Sequence, residues 1–176
     1  MILAISGSLR RSSVNSAALR AAAMAAARRG IAVTVDDMVR QLPHFDPDLE
    51  GAPPQAVLHF RAGCETAAGV LLSVPEYAYG IPGAFKNALD WTVGSTCLHR
   101  KPVTVLDVAP PGRGQSAGKA LGLVLKALNA DAVFRSVAVS AEDRNEAGEI
   151  ISLEIIERLK TIVVELAARA TASAAV

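Results

Sequence analysis

The sequence predicts an α/β fold of three layers: a five-stranded parallel sheet in the order 2-1-3-4-5, with helices on both faces. Apolar runs recur five times, and most are continuous, as in strands that are buried on both faces. Segments with helical spacing separate these runs and are long enough for right-handed crossovers. The length of 176 residues suits a single domain over residues 1–176, with a frayed tail at about 170–176 where small residues lack a cap.

Strands and helices alternate along the chain. The first helix is rich in alanine and stops before Gly30, while prolines suit the first turns of the second and third helices. The predicted strands are Ile2–Ser6, Ile31–Val35, Gly69–Val74, Val103–Val108 and Ala132–Val139. The predicted helices are Asn15–Arg28, a second from Pro53 and Pro54 through Gly63, Gly83–Val93, Gln115–Leu128 and Glu149–Ala168. Ligands of such a sheet bind where the strand order reverses, which selects the loops Ser6–Ser13 and Val74–Ile81.

Composition excludes several classes of function. The net charge is +1 and the charges are spread along the chain, so no basic surface for nucleic acid is predicted. The start "MILAISGS" has no basic region before its short apolar run, and we expect a cytoplasmic protein without a membrane segment. Cys64 and Cys97 form no CxxC motif and no cluster with histidine, which predicts two unpaired thiols and no metal site.

The loop after the first strand, "GSLRRSSVN" from Gly7 to Asn15, combines hydroxyl and guanidinium groups with a helix start. Ser8, Arg10, Ser13 and Asn15 would form a cradle for an anion such as a phosphate. In the alternative, a serine or Asn15 only caps the helix and the arginines are solvated. The loop lacks the GxxxxGK[ST] pattern of nucleoside triphosphatases and has no cysteine nucleophile.

The loop after the third strand, within "SVPEYAYGIPGAFKNALDW", concentrates aromatic side chains in a chain that is only 4% aromatic. Pro75 and Pro82 stiffen its ends, and Tyr77 and Tyr79 lie beside Glu76. Aromatic faces stack on conjugated rings, so this loop favours a flat, partly apolar ligand. Alternatively, the tyrosines cover the sheet edge or a contact between subunits.

Three stretches at these separations, "GSLRRSSVN", "LPHFDPDLE" and "PEYAYGIPGAFKNALDW", resemble the NADPH-dependent FMN reductase family, a flavodoxin-like group that includes bacterial quinone, chromate and azo-dye reductases. The resemblance covers Ile2 to about Leu128. It implies FMN as cofactor, NADPH or NADH as co-substrate, and a quinone or similar small acceptor. Hydride would pass in two steps through flavin N5, without a catalytic side chain. The resemblance also implies a homodimer or homotetramer.

The resemblance further implies the binding residues. The FMN phosphate would be bound within Ser8–Asn15, the ring would contact Pro75–Ala78, and the third loop would offer backbone N–H groups to the pyrimidine edge. The residues concerned are Ser8, Leu9, Arg10, Ser13, Val14 and Asn15 in the first loop, Pro75, Glu76, Tyr77 and Ala78 in the second, and Ala109, Gly112 and Gly114 in the third. Tyr77 and Tyr79 would shape the access slot for substrate.

The chain departs from the family pattern at three places. Ala78 stands where the family usually has Asn, Gly80 stands where it usually has Ser, and the third loop, "VAPPGRGQSAGKALG", lacks the usual Ser or Thr before a Gly-Gly pair. Two alternatives therefore stay open: a flavodoxin-type carrier that binds FMN without oxidising NAD(P)H, and a flavin-free protein of the same fold. The balanced charge argues against the carrier, since such carriers are typically acidic.

Three further patterns have simpler interpretations. "GRGQSA", from Gly112 to Ala117, matches GxGxxA, but only one predicted strand follows, so we interpret it as coincidence. Trp91 is expected in the core or at a subunit contact. Lys86 and Asp90 have the spacing of an ion pair on a helix surface.

Overall fold

A computed structural model describes residues 1–173. Five parallel strands form one sheet in the order β2-β1-β3-β4-β5, which confirms the predicted order. None of the helices in this range is both long and apolar enough to cross a bilayer. The elements are β1 (Ile2–Ser6), α1 (Val14–Ala27), β2 (Val33–Asp36), α2 (Gln55–Thr66), β3 (Gly69–Ser73), α3 (Gly83–Val93), β4 (Pro102–Asp107), α4 (Gln115–Ala127), β5 (Asp131–Ser136) and α5 (Leu153–Ser173).

Side chains alternate between two cores on opposite faces of the sheet. On β1, Ile2 and Ala4 pack with α1 and α5, whereas Leu3 and Ile5 pack with α2, α3 and α4. Because successive side chains of a strand point to opposite faces, both sets must be apolar when helices cover both faces. The continuous apolar runs of the central strands therefore follow directly from the three-layer arrangement.

The two edge strands are much more exposed than the three central strands. Every residue of β1 and β3 is buried, as are the first five residues of β4. None of the residues of β2 or β5 is fully buried, and Phe134 in β5 is 44% exposed. Each edge strand pairs with only one neighbour, β2 with β1 and β5 with β4, so helices cover it less completely.

Element boundaries differ from the predicted ones mainly near the C-terminus. The last helix begins at Leu153 instead of Glu149, because Arg144 and Ile150 form an antiparallel bridge first. The helix continues to Ser173, beyond the predicted end at Ala168. Of the predicted frayed tail, residues 170–173 belong to α5 and residues 174–176 lie outside the described residues.

The second motif, "LPHFDPDLE", packs against α3. The ring of Phe45 meets that of Trp91 edge-on, with centroids 5.0 Å apart. Trp91 is fully buried and donates from Nε1 to the carbonyl of Pro43 at 2.9 Å. Asn87 accepts from the N–H of Phe45 and donates to the same Pro43 carbonyl. Trp91 therefore belongs to the core, and it fixes the loop before α2 against the helix that follows the tyrosine loop.

Candidate functional site

Three loops meet around one cavity of about 530 Å³ beyond the carboxyl ends of β1, β3 and β4. This is the edge where the strand order reverses, and the volume is typical of small-molecule sites. The loop after β1 contributes the first residues of α1, and the loop after β3 contributes Pro75 and Glu76. The loop after β4 contributes most of the remaining lining. The lining residues are Val14, Asn15, Val74, Pro75, Glu76, Tyr79, Asp107, Val108, Ala109, Pro110, Gly112, Arg113, Gly114 and Val139.

Helix α1 presents two free donors at its N-terminus. Ser13 is the N-cap, and its hydroxyl accepts from the N–H of Ser16 at 3.4 Å. The N–H groups of Val14 and Asn15 have no hydrogen-bond partner among residues 1–173. They lie at the positive end of the helix, where an anion is stabilised. The capping interpretation is thus correct for Ser13, yet the cap leaves donors available for an anion.

Hydroxyl and guanidinium groups hold the remainder of the first loop. Ser8 is buried, its N–H donates to Oγ of Ser6 at 3.2 Å, and its own hydroxyl accepts from the N–H of Arg10 at 3.3 Å. Arg40, in the short 3₁₀ turn after β2, donates to the carbonyl of Leu9. The side chains of Leu9 and Arg10 are exposed. The loop backbone is therefore fixed, while Arg10 is free to reach a ligand.

Buried contacts connect the first loop to the third strand. The hydroxyl of Ser73 donates to Oδ1 of Asn15 at 2.9 Å, and both residues are buried. A Cβ atom on Gly7 would lie 2.9 Å from a methyl group of Val74 and 3.2 Å from the ring of Phe85. Gly7 is therefore required for close packing between the loops that follow β1 and β3.

The tip of the second loop is a tight turn in an unfavourable conformation. Tyr77 and Gly80 exchange backbone hydrogen bonds at 2.9 and 3.1 Å. Between them, Ala78 and Tyr79 have positive φ angles of 50° and 60°, a pair that favours Asn or Gly. Tyr77 is 54% exposed and Tyr79 is 84% exposed. The turn therefore presents both rings to solvent, with Tyr79 beside the cavity.

Glu76 joins the second loop to the third. One oxygen of its carboxylate accepts from the N–H of Ser116 at 2.8 Å and from the N–H of Ala117 at 3.0 Å. These N–H groups belong to the first turn of α4, whose N-cap, Gly114, provides no side-chain hydrogen bond. A carboxylate at this position satisfies the free donors and is stabilised by the helix dipole. Glu76 therefore caps a helix 40 residues away in sequence.

The glycine-rich third loop is shaped by Asp107 at the end of β4. Oδ1 of Asp107 accepts from the N–H of Ala109 at 2.9 Å. A Cβ atom on Gly114 would lie 3.0 Å from the same oxygen, and Gly114 has a φ of 80°. Within residues 1–173, β5 is the only strand after this loop, and Glu76 already occupies the start of α4. "GRGQSA" thus lacks both features of a dinucleotide-binding turn: the further strands and a free helix N-terminus.

The predicted site residues fall into two groups. The cavity brings together Val14, Asn15, Pro75, Glu76, Tyr79, Ala109, Gly112 and Gly114. Other predicted residues lie outside its lining: Ser8, Leu9, Arg10 and Ser13 in the first loop and Tyr77 and Ala78 in the exposed turn. Sequence reasoning missed Asp107 and assigned no cofactor contact to Arg113, which also lines the cavity. The position of Asp107 at the carboxyl end of a strand was the signal that could have identified it.

The region that matches known proteins includes all three loops. Residues 1–144 match the sequence profile described as NADPH-dependent FMN reductase. The chain belongs to the NADPH-dependent FMN reductase family. The resemblance seen in its motifs is thereby confirmed, and so is its assignment as an oxidoreductase.

Curated relatives and solved structures cover from about two thirds to nearly all of the chain. A probable NADPH:quinone oxidoreductase 2 of Oryza sativa is 34% identical, over 95% of this chain and 87% of the relative. A quinone reductase of Pseudomonas putida is 32% identical, over 64% of this chain and 62% of the relative. Among solved structures, the NAD(P)H:(acceptor) oxidoreductase FerB of Paracoccus denitrificans has a TM-score of 0.81 and 25% identity, with 98% of this chain and 97% of FerB covered.

Proposed function

We propose that this protein is an FMN-dependent NAD(P)H oxidoreductase that passes hydride from NAD(P)H to quinones or similar small acceptors in two separate steps. The observation that carries this proposal is the cavity of about 530 Å³ shared by all three loops, in a chain of the FMN reductase family. An anion-binding helix start, a proline-flanked aromatic turn and a glycine-rich loop border one space. This combination suits a ligand with a phosphate tail and a flat ring.

The first loop supplies what a phosphate monoester needs. The free N–H groups of Val14 and Asn15 lie at the positive end of α1, and Ser8 and Ser13 add hydroxyl donors nearby in the loop. Arg10 contributes an exposed positive charge. Leu9 holds the loop through its carbonyl, which accepts from Arg40. The donor set suits FMN better than riboflavin, because only FMN carries the charged phosphate.

The second and third loops would hold the ring. Pro75 and Glu76 form one wall of the cavity, and the turn at Tyr77 and Ala78 projects beside them. Ala109, Gly112 and Gly114 also line the cavity and carry no bulky side chains. The N–H of Ala109 is held by Asp107, so Gly112 and Gly114 would offer their backbone N–H groups to the ring edge. Tyr79, and Tyr77 next to it, border the entrance for NAD(P)H and acceptor.

FMN held by the three loops would supply the redox chemistry, namely the acceptance of hydride from NAD(P)H at its N5 and the passage of electrons to the acceptor. The protein anchors the phosphate, keeps one ring face open and places backbone donors at the pyrimidine edge. No side chain acts as acid, base or nucleophile in this proposal. The proposal further includes a homodimer or homotetramer and a cytoplasmic location, neither of which is needed for the site within one chain.

Substitution of Arg10 tests the phosphate assignment. Arg10→Ala should weaken FMN binding by about tenfold, the effect of losing one charge-assisted hydrogen bond of about 1.4 kcal/mol. Riboflavin affinity should be unchanged, because riboflavin has no phosphate. Arg28→Ala removes an equally exposed arginine at the opposite end of α1 and serves as the matched control. Equal losses of FMN and riboflavin affinity, measured by flavin fluorescence quenching, would exclude the proposed phosphate contact.

Anaerobic mixing of the FMN-loaded protein with NADPH tests the reaction itself. The flavin absorption band should bleach on adding NADPH and recover on adding a quinone, and initial-rate plots for the two substrates should be parallel. A protein that binds FMN without bleaching would be an electron carrier. A colourless protein that does not quench added FMN would be a flavin-free member of the fold. Either result would contradict the reductase proposal.

A further inference from the structure

A second cavity, of about 190 Å³, lies between the start of α4 and the carboxyl ends of β4 and β5. It shares Val74, Asp107 and Gly114 with the cavity of the candidate functional site, so the two cavities adjoin across the glycine-rich third loop. The rest of its lining has no part in the proposed reaction. We refer to it as the α4–β5 cavity.

The interior of the α4–β5 cavity is apolar. Val105 of β4 and Phe134 of β5 are direct neighbours in the sheet, and Ala117 and Leu121 of α4 are buried opposite them. Phe134 is 44% exposed, so the cavity opens to solvent beside its ring at the edge of the sheet. An apolar cavity of about 150 Å³ in another protein stays dry and binds benzene. The α4–β5 cavity therefore has the size and the lining for one aromatic ring.

The room in this cavity depends on the missing side chain of Gly118. Gly118 lines the cavity within α4, and its φ is not in the left-handed region. A Cβ atom on Gly118 would meet no atom within 4 Å, whereas one on Gly122, a turn later, would lie 3.6 Å from the ring of Phe134. Glycine weakens a helix relative to alanine. Neither strain nor close packing requires glycine at position 118, which indicates that the space beside it serves a ligand.

Asp107 gives the α4–β5 cavity a polar partner for that ligand. Its Oδ1 accepts from the N–H of Ala109 at 2.9 Å, and its Oδ2 has no hydrogen-bond partner among residues 1–173. The other charged residue of the lining, Arg135, is bound to Glu165 of α5, which packs on the opposite face of the sheet. A carboxylate accepts a hydrogen bond from a hydroxyl group and repels an anion. The ligand should therefore be a neutral hydrogen-bond donor.

We propose that the α4–β5 cavity binds a single-ring phenol, a class of ligand that combines an aromatic ring with a neutral hydroxyl group. The ring lies beside Gly118 and against Val105, Leu121 and Phe134, and the hydroxyl group donates to Oδ2 of Asp107. The cavity is too small for a segment of another protein, since a helix is about 10 Å wide with its side chains. This binding does not require FMN.

Amide NMR titrations with p-cresol, toluene and p-methylbenzoate test the proposal, in the presence of excess FMN. p-Cresol should shift the resonances of Gly118 and Phe134 saturably and leave those of Val14 and Asn15, at the candidate functional site, unchanged. Toluene should bind about tenfold more weakly, because it lacks the hydrogen bond to a charged group. p-Methylbenzoate should not bind, because its carboxylate faces Asp107. These readouts hold whether or not FMN binds, since the amides of the two cavities are observed separately.

Three variants locate the ligand. Gly118→Leu should weaken p-cresol binding by about tenfold or more, because the added side chain takes the space of the ring. Gly122→Ala changes a glycine of the same helix outside the lining and should bind p-cresol as the wild type does. Asp107→Asn keeps an acceptor for Ala109 but loses the charge, so affinity should fall about fivefold for p-cresol and stay the same for toluene.

Several outcomes would overturn the proposal. These are the absence of saturable shifts at Gly118 and Phe134, equal affinities for p-cresol and toluene, or a Gly118→Leu protein that binds p-cresol as tightly as the wild type. Sedimentation covers a different occupant: a change of oligomeric state in Gly118→Leu, without p-cresol binding by the wild type, would assign the cavity to a contact between subunits. Circular dichroism checks the fold of Gly118→Leu. If that variant unfolds, the wild-type shifts and Asp107→Asn decide.

Discussion

Replacing Glu76 removes the contact that joins two loops of the candidate site. In Glu76→Ala the N–H groups of Ser116 and Ala117 lose their acceptor at 2.8 and 3.0 Å. Hydrogen bonds to a charged group contribute about 1.5–3 kcal/mol, and a carboxylate at a helix N-terminus about 0.3–1 kcal/mol when exposed. Glu76 is partly exposed. We therefore expect a loss of about 2 kcal/mol in unfolding free energy, and about 1 kcal/mol for Glu76→Gln, which keeps an acceptor oxygen without the charge.

Thermal unfolding and amide exchange measure the effect. A loss of about 2 kcal/mol lowers Tm by about 4–8 °C in a chain of this size. Glu154→Ala, at an exposed position in the first turn of α5, is the control and should cost less than about 1 kcal/mol. The amides of Ser116 and Ala117 should exchange faster in Glu76→Ala. An unchanged Tm together with unchanged protection of these amides would refute the capping role.

Three other predictions concern backbone strain and core packing. Gly114→Ala should lower the free energy of unfolding by about 2 kcal/mol, because Gly114 has a positive φ and an alanine Cβ would crowd the Asp107 oxygen. An unchanged midpoint of urea unfolding would contradict this prediction. Ala78→Gly should raise the free energy of unfolding by about 0.5–1 kcal/mol, since the strain of an alanine with positive φ exceeds the extra entropy that glycine gives the unfolded chain. A lower midpoint of urea unfolding would contradict this prediction. Trp91→Phe should lower the free energy of unfolding by about 2 kcal/mol, because the Nε1 hydrogen bond to Pro43 is lost and the ring is smaller. A wild-type Tm in calorimetry would contradict this prediction.

Much of the fold was predictable because the hydrophobic pattern identifies buried strands and the helices between them imply that these strands are parallel. The uninterrupted apolar runs of β1, β3 and β4 require burial on both faces, and helices between them require parallel pairing. The ends of elements were less predictable. The start of α5 depends on a bridge between Arg144 and Ile150, a contact that no local sequence pattern predicts.

The candidate site divides in the same way. The first loop has serines and arginines at a helix start, and the second has two tyrosines between prolines. These residue types were enough to select both loops from the sequence alone. Only the tertiary structure shows that the carboxylate of Glu76 caps the start of α4, and that Asp107 shapes the glycine-rich loop. The Glu76 contact joins segments 40 residues apart, and its partner is set by the packing of helices on the sheet, which periodicity does not encode.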